Sequence, residues 1–276
     1  MNISKGLYHT IYHPRLIIIP LIVNVFLTFI GTLGAYAGFR ILYFSNSYAA
    51  PFGIPLLDDV IFPFQGLTTN WLLTSIATIG ILLLKSYALS TYLGSMKCFL
   101  IGPDNTYSIL KIAPYYFDRM VKFSIIEFFI SGVFFTFSNV IWPLAFLGIL
   151  IVLFYSLTPY IIVLEDTTVR DAIARSPKLL IKNFGALFFI ALISLTLTFL
   201  ITEIPFTNTK MEYYVVSLLY SFFGTIMIFS VMNCLHKSIY TFSLPSKRVI
   251  KSRKLFLPLW IVALLLPLLG ALLIID

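Results

Sequence analysis

Charge is what this sequence has least of: Asp, Glu, Lys and Arg make up 11% of its 276 residues, against about 25% in an ordinary globular domain. A surface so poor in charge excludes a chain wetted on all sides. Cysteine is nearly absent, and Cys98 and Cys234 are both expected near the inner ends of helices. That excludes a disulfide framework and leaves two reduced packing thiols. Histidine is nearly as scarce: His9 and His13 stand four apart and would share a helix face, but neither an HExxH pattern nor a flanking carboxylate accompanies them, and only His236 remains as a third imidazole. No metal site is expected. A Gly-rich phosphate loop following a strand is missing, as is a GxSxG elbow, and Glu127 is the one carboxylate well inside an apolar run. Without a nucleophile and base or a carboxylate pair, no enzyme and no cofactor is expected.

What is present is apolar. Hydrophobic residues make up 59% of the chain, and the mean hydropathy is +0.98. Crossing a hydrocarbon layer about 30 Å thick takes about 20 apolar residues, and since lipid cannot pair with backbone groups they must be helical. Runs at about 16–39, 71–96, 119–137, 140–163, 184–202, 213–236 and 255–275 meet that length. They predict an all-α, polytopic transmembrane helical bundle of six to seven spans, one membrane domain over residues 1–276. The first run exceeds the core of a signal peptide and reads as a retained span. The last carries Pro258 and Pro267, each of which removes a helical hydrogen bond, and reads as a kinked span.

Basic residues fall almost wholly on one side. Lys5, Arg15, Lys97, Lys111, Arg119, Lys122, Arg170, Arg175, Lys178, Lys182 and Lys237 share it with the cluster Lys247, Arg248, Lys251, Arg253 and Lys254, while Arg40 and Lys210 oppose them. The bias puts the N-terminus in the cytoplasm of a multi-pass cell-membrane protein. The cluster KRVIKSRK would meet anionic headgroups, worth about 1 kcal/mol for each basic residue close to the surface. Membrane lipids are therefore the first partner expected; nucleic acid is not, because these charges flank spans. NISKGLYHTIYH reads as an interfacial helix with Ile3, Leu7 and Ile11 toward the membrane and its polar groups toward water. Ile41 to Asn70 is the long external connection, with Asp58 and Asp59 in a solvated acidic turn.

Two features inside the apolar runs stand out. Gly31, Gly34 and Gly38, with the motif GAYAG, allow a helix to approach closely either a neighbour in the same chain or another membrane protein, a second copy included. Lys85 and Glu127 lie at a similar depth, roughly 10 Å from the cytoplasmic boundary at about 1.5 Å per residue. Charges there are expensive in lipid and usually face inward with a partner, so the two are expected to form an intramembrane ion pair, structural or ligand-binding.

Two cytoplasmic connections resemble each other. DNTYSILKIAPYYFDRMVKF starts at Asp104 and DTTVRDAIARSPKLLIKNF at Asp166; each passes from Asp and Thr through an amphipathic segment to a proline, basic residues and an apolar helix. Thr168 with Asp171 three residues on approximates a capping box, and Pro177 is expected to open a new helix. Each connection then predicts a short interfacial helix, a bend and a rising helix.

The tract TPYIIVLEDTTVRDAIARSPKLLIKNFGALFFIALI, with Pro159, Glu165, Asp166, Ala172, Ile173, Ser176, Lys178, Lys182 and Asn183, resembles the membrane region of some bacterial glycerophosphodiester phosphodiesterases and related stand-alone membrane proteins. YYFDRMVKF, around Phe117 and Arg119, is similar to the first connection of that pattern. The resemblance covers roughly residues 80–240 and implies about six spans with no catalytic domain, the phosphodiesterase itself being a separate soluble domain. The expected function is non-enzymatic: binding a lipid or small amphiphile, or helping to move it, within the bundle. The alternative is an accessory or scaffold subunit that docks a transporter or a separate enzyme.

Overall fold

The computed structural model describes residues 2–36, 71–101, 109–138, 150–151, 153–206, 208–240 and 257–273, and among them every regular element is a helix. In chain order these are α1 (Asn2–Tyr12), α2 (Arg15–Tyr36), α3 (Trp71–Ile101), α4 (Ile109–Ser138), α5 (Thr158–Glu165), α6 (Val169–Lys182), α7 (Phe184–Thr202), α8 (Thr209–Ile239) and α9 (Leu257–Leu273). Two are long and apolar enough to cross a membrane, α7 over Phe184–Ile201 and α8 over its full length. The number becomes three if α1 and α2, bent by 75° at their junction, form one broken span. The external connection 41–70, with Asp58 and Asp59, lies outside the described residues, as do residues 140–149 and 152 of the expected span 140–163.

Exposure differs sharply between the two long helices. Only 17% of the apolar stretch of α7 is buried, and Phe188, Phe189, Leu192, Leu195 and Phe199 stand in the open. In α8 the buried share is 61%. A helix that exposes so much apolar side chain needs an apolar surrounding.

The chain divides into two compact units, residues 80–187 and the remainder. In the remainder, α8 packs against α1, α2 and α9, and α2 also packs against α9. Ile17, Leu21 and Ala263 form a small core, flanked by Phe222 and Trp260. Asn208 caps α8 by accepting from the N–H groups of Lys210 and Met211, and Glu212 adds a negative charge in the first turn, where a helix N-terminus favours it. Close approach at Gly6 needs the missing side chain, because a Cβ there would lie 2.7 Å from the Ile226 carbonyl oxygen and 2.9 Å from Ser230 Oγ. The polar face of α1 therefore turns inward: Gly6, Thr10 and His13 are buried while Leu7 and Tyr8 are exposed. Of the polar groups expected to face water, Ser4 and Lys5 are exposed, whereas Thr10 and His13 turn inward, since Gly6 and Thr10 allow closer contact with α8 than Leu7 would.

In the other unit α5 is almost wholly buried, from Thr158 to Leu164, and packs against α4 and α6. Its chain reverses at Asp166, the one residue besides glycine with positive φ among those described (φ 54°). Asp tolerates that conformation better than most side chains. Thr168 then caps α6 as expected, accepting from the Asp171 N–H. Two expectations fail. Pro177 lies inside α6 and opens no new helix; the buried row Val169, Ala172, Ser176, Leu180 continues across it, and the break falls at Asn183. Likewise α4 is one helix through Pro114, which sits on the exposed side while Ala113, Tyr116, Met120 and Phe123 stay buried. In both, one continuous packed face outweighs the single hydrogen bond that a proline removes. Pro258 in α9 instead falls in the first turn, where its missing N–H is harmless.

Candidate functional site

Helices α3 and α4 run antiparallel, a relation fixed by three side-chain contacts. Lys85 meets Glu127, Ser86 meets Ser124 and Lys97 meets Tyr116, so positions advancing along one helix retreat along the other. Each helix turns a polar row toward this seam.

The structure brings Lys85 and Glu127 together, with Nζ 3.2 Å from Oε2. The Lys85 side chain is 14% exposed and that of Glu127 is 36% exposed, so the ammonium is the deeper partner. The neighbouring Ser86 hydroxyl donates to Ser124 Oγ at 3.0 Å. Both serines are fully enclosed, which continues the polar contact for another turn.

About 18 Å further along α3, at about 1.5 Å per residue, a second charged group closes the seam. Lys97 is only 8% exposed. Its Nζ donates to Asp166 Oδ2 at 2.6 Å and to Tyr116 Oη at 3.1 Å, and Tyr116 in turn donates to Asp166 Oδ1 at 2.7 Å. The positive φ of Asp166 places this carboxylate at the α5–α6 corner, so one clamp joins α3, α4 and that corner. Burial, reinforced by the hydrogen bond to Asp166 and its charge, pushes the Tyr116 hydroxyl well above its ordinary range. It is a donor that keeps its proton. Burial also raises the Cys98 thiol, against the opposing charge of Lys97. Helix approach is close here: a Cβ on Gly94 would collide with Ile112 Cγ2. Arg175 pairs with Glu165 beside the same corner, on the exposed side of α6.

In the sequence Lys97 reads as one of the flanking basic residues and Asp166 as the start of a repeat, and neither reading joins the two. A Lys directly after one apolar run, with an acidic pair, Glu165 and Asp166, directly after another, is the available signal. Gly31 and Gly34 lie within α2, and Gly38 lies outside the described residues, as do Lys247, Arg248, Lys251, Arg253 and Lys254. Cys98 and Cys234 are unbridged. Among the described residues no three His, Cys, Asp or Glu side chains converge as a metal-binding group.

The other unit holds a neutral counterpart. Asn24 donates to Ser217 Oγ at 2.9 Å, and the hydroxyls of Thr28 and Tyr213 are 2.9 Å apart. The Tyr213 ring fits only because α9 offers Gly270, where a Cβ would lie 2.5 Å from the hydroxyl oxygen. Comparison with protein-family models, curated proteins and solved structures found no match.

Proposed function

We propose that this is a non-enzymatic, multi-pass protein of the cell membrane that binds a lipid or small amphiphile, or helps to move it, within its helical bundle. In this reading the chain makes six to seven crossings from a cytoplasmic N-terminus, with α6 at the inner interface. It would be a membrane module of the kind that accompanies glycerophosphodiester phosphodiesterases. One observation carries the reading: Lys85 and Glu127 pair on the inward faces of α3 and α4, with the carboxylate 36% exposed. A charge pair kept within apolar helices offers a headgroup both signs at once, and charges at such depth mark ligand pathways. A second reading, a docking subunit for another membrane protein, is favoured by the exposed basic residues Arg170, Lys178 and Lys182 on α6.

The test is mass spectrometry of lipids and proteins that copurify with the full chain, wild type against Lys85→Met/Glu127→Gln. A bound amphiphile lost in the double variant is the expected result. An unchanged lipid profile, or a stoichiometric protein partner with no lipid, would overturn the first reading in favour of the second.

A further inference from the structure

Helices α2 and α8 leave polar groups without partners at the centre of their contact. Thr28 faces Tyr213 and Asn24 faces Ser217, so the two helices run antiparallel in steps of four and the next step sets Pro20 opposite Ser221. Asn24 is 1% exposed and Ser221 is fully buried. Asn24 Oδ1 and Ser221 Oγ nevertheless have no hydrogen-bond partner among the described residues. Turning the Asn24 amide over exchanges an unpartnered acceptor for an unpartnered donor, so the need remains either way. Pro20 adds a third group, because it has no N–H to give to the carbonyl of Leu16 one turn below.

Two unpartnered side-chain atoms and a carbonyl that receives no hydrogen bond from Pro20, within two turns of facing helices, are a recurrent setting for a bound water, which makes about three hydrogen bonds. We propose that the Leu16–Pro20–Asn24 edge of α2 and Ser221 of α8 form a seat for one small neutral hydrogen-bonding molecule, a water in the first instance. The seat does not depend on the Lys85–Glu127 pair. All of its groups are uncharged, so it selects hydroxyl or amide chemistry against ions. It lies twelve residues into α8, about 18 Å from the start of that helix, where bulk water does not reach if α8 crosses a bilayer.

Hydroxyl-radical footprinting by X-ray radiolysis, on the full chain in lipid nanodiscs, reads bound water directly. Side chains touching the seat, Leu16 and Pro20 above all, should be oxidised, whereas Leu93 and Ile162 in the other unit serve as buried controls. In Asn24→Leu/Ser221→Ala that labelling should be lost. Glycerol added before irradiation should either leave the labelling unchanged, which assigns the seat to water, or suppress it, which assigns it to a hydroxyl solute. Control-level labelling at Leu16 and Pro20 in the wild type overturns the proposal whatever becomes of the variant. Labelling that persists in a folded double variant overturns it too.

Discussion

Asp166→Asn and Lys97→Met remove the two ends of one ion pair, and their costs should differ because the charge left behind is differently placed. After Asp166→Asn the survivor is the Lys97 ammonium, whose side chain is 10% exposed. After Lys97→Met it is the Asp166 carboxylate, 44% exposed and still accepting from Tyr116. Removing one partner of a buried pair costs about 3–5 kcal/mol, whereas exposed pairs contribute about 0–1 kcal/mol. Solvent at Asp166 puts its neutralisation at the low end of the first range, about 3 kcal/mol, and puts the lysine replacement nearer 1 kcal/mol. Asn is the suitable probe, since it tolerates positive φ and its carbonyl can still accept from Tyr116. At roughly 2–4 °C per kcal/mol for a chain of this size, Asp166→Asn should lower the melting temperature by about 6–12 °C and Lys97→Met by about 2–4 °C. The double variant leaves no unpaired charge and should melt closer to Lys97→Met than to Asp166→Asn. Intrinsic-fluorescence melting in detergent measures all three. Equal losses from the two single changes, or a double variant whose loss equals their sum, would refute the argument.

Gly94→Ala should cost about 1–3 kcal/mol, because its methyl would collide with Ile112, while Gly185→Ala, with nothing within 4 Å, should not lower the melting point. In a Cys234→Ala background the Cys98 thiol, raised by burial, should react with a neutral maleimide more slowly at pH 8 than a free cysteine does and speed up as pH rises. Lys97→Met should slow it further by removing the cation that favours the thiolate; a faster reaction would contradict that electrostatic reading. Cysteines introduced near Lys251 should be labelled only from the cytoplasm and those near Lys210 only from outside, and the reverse pattern would invert the whole proposed topology.

Helix positions were legible where a hydrophobic run alone decides them: the run 184–202 became α7, Phe184–Thr202, because apolar length and backbone pairing are properties of the segment itself. The Thr168 cap was legible for the same reason, being a contact over three residues. Lys85 and Glu127 could be matched because a charge in an apolar run is conspicuous and depth can be counted along both helices. Lys97, Tyr116 and Asp166 could not be, since their contacts join positions 19, 50 and 69 apart and depend on the register of three elements. Asn24 and Ser217 were harder still, as neutral polar residues barely lower the hydropathy of the runs that carry them. Pro114 and Pro177 misled because the rule for proline is local, while the faces that hold α4 and α6 straight are tertiary.

The hydrogen bond between Asn24 and Ser217 spans 193 residues of sequence, which gives it a place in time as well as in space. At about 5–20 residues per second, α2 is finished about 10–40 s before the ribosome has added Ser217. Throughout that interval the Asn24 amide and the Thr28 hydroxyl must be satisfied by something other than α8. The bent pair of α1 and α2 is therefore made with a polar demand that α8 meets only once the last quarter of the chain has been added.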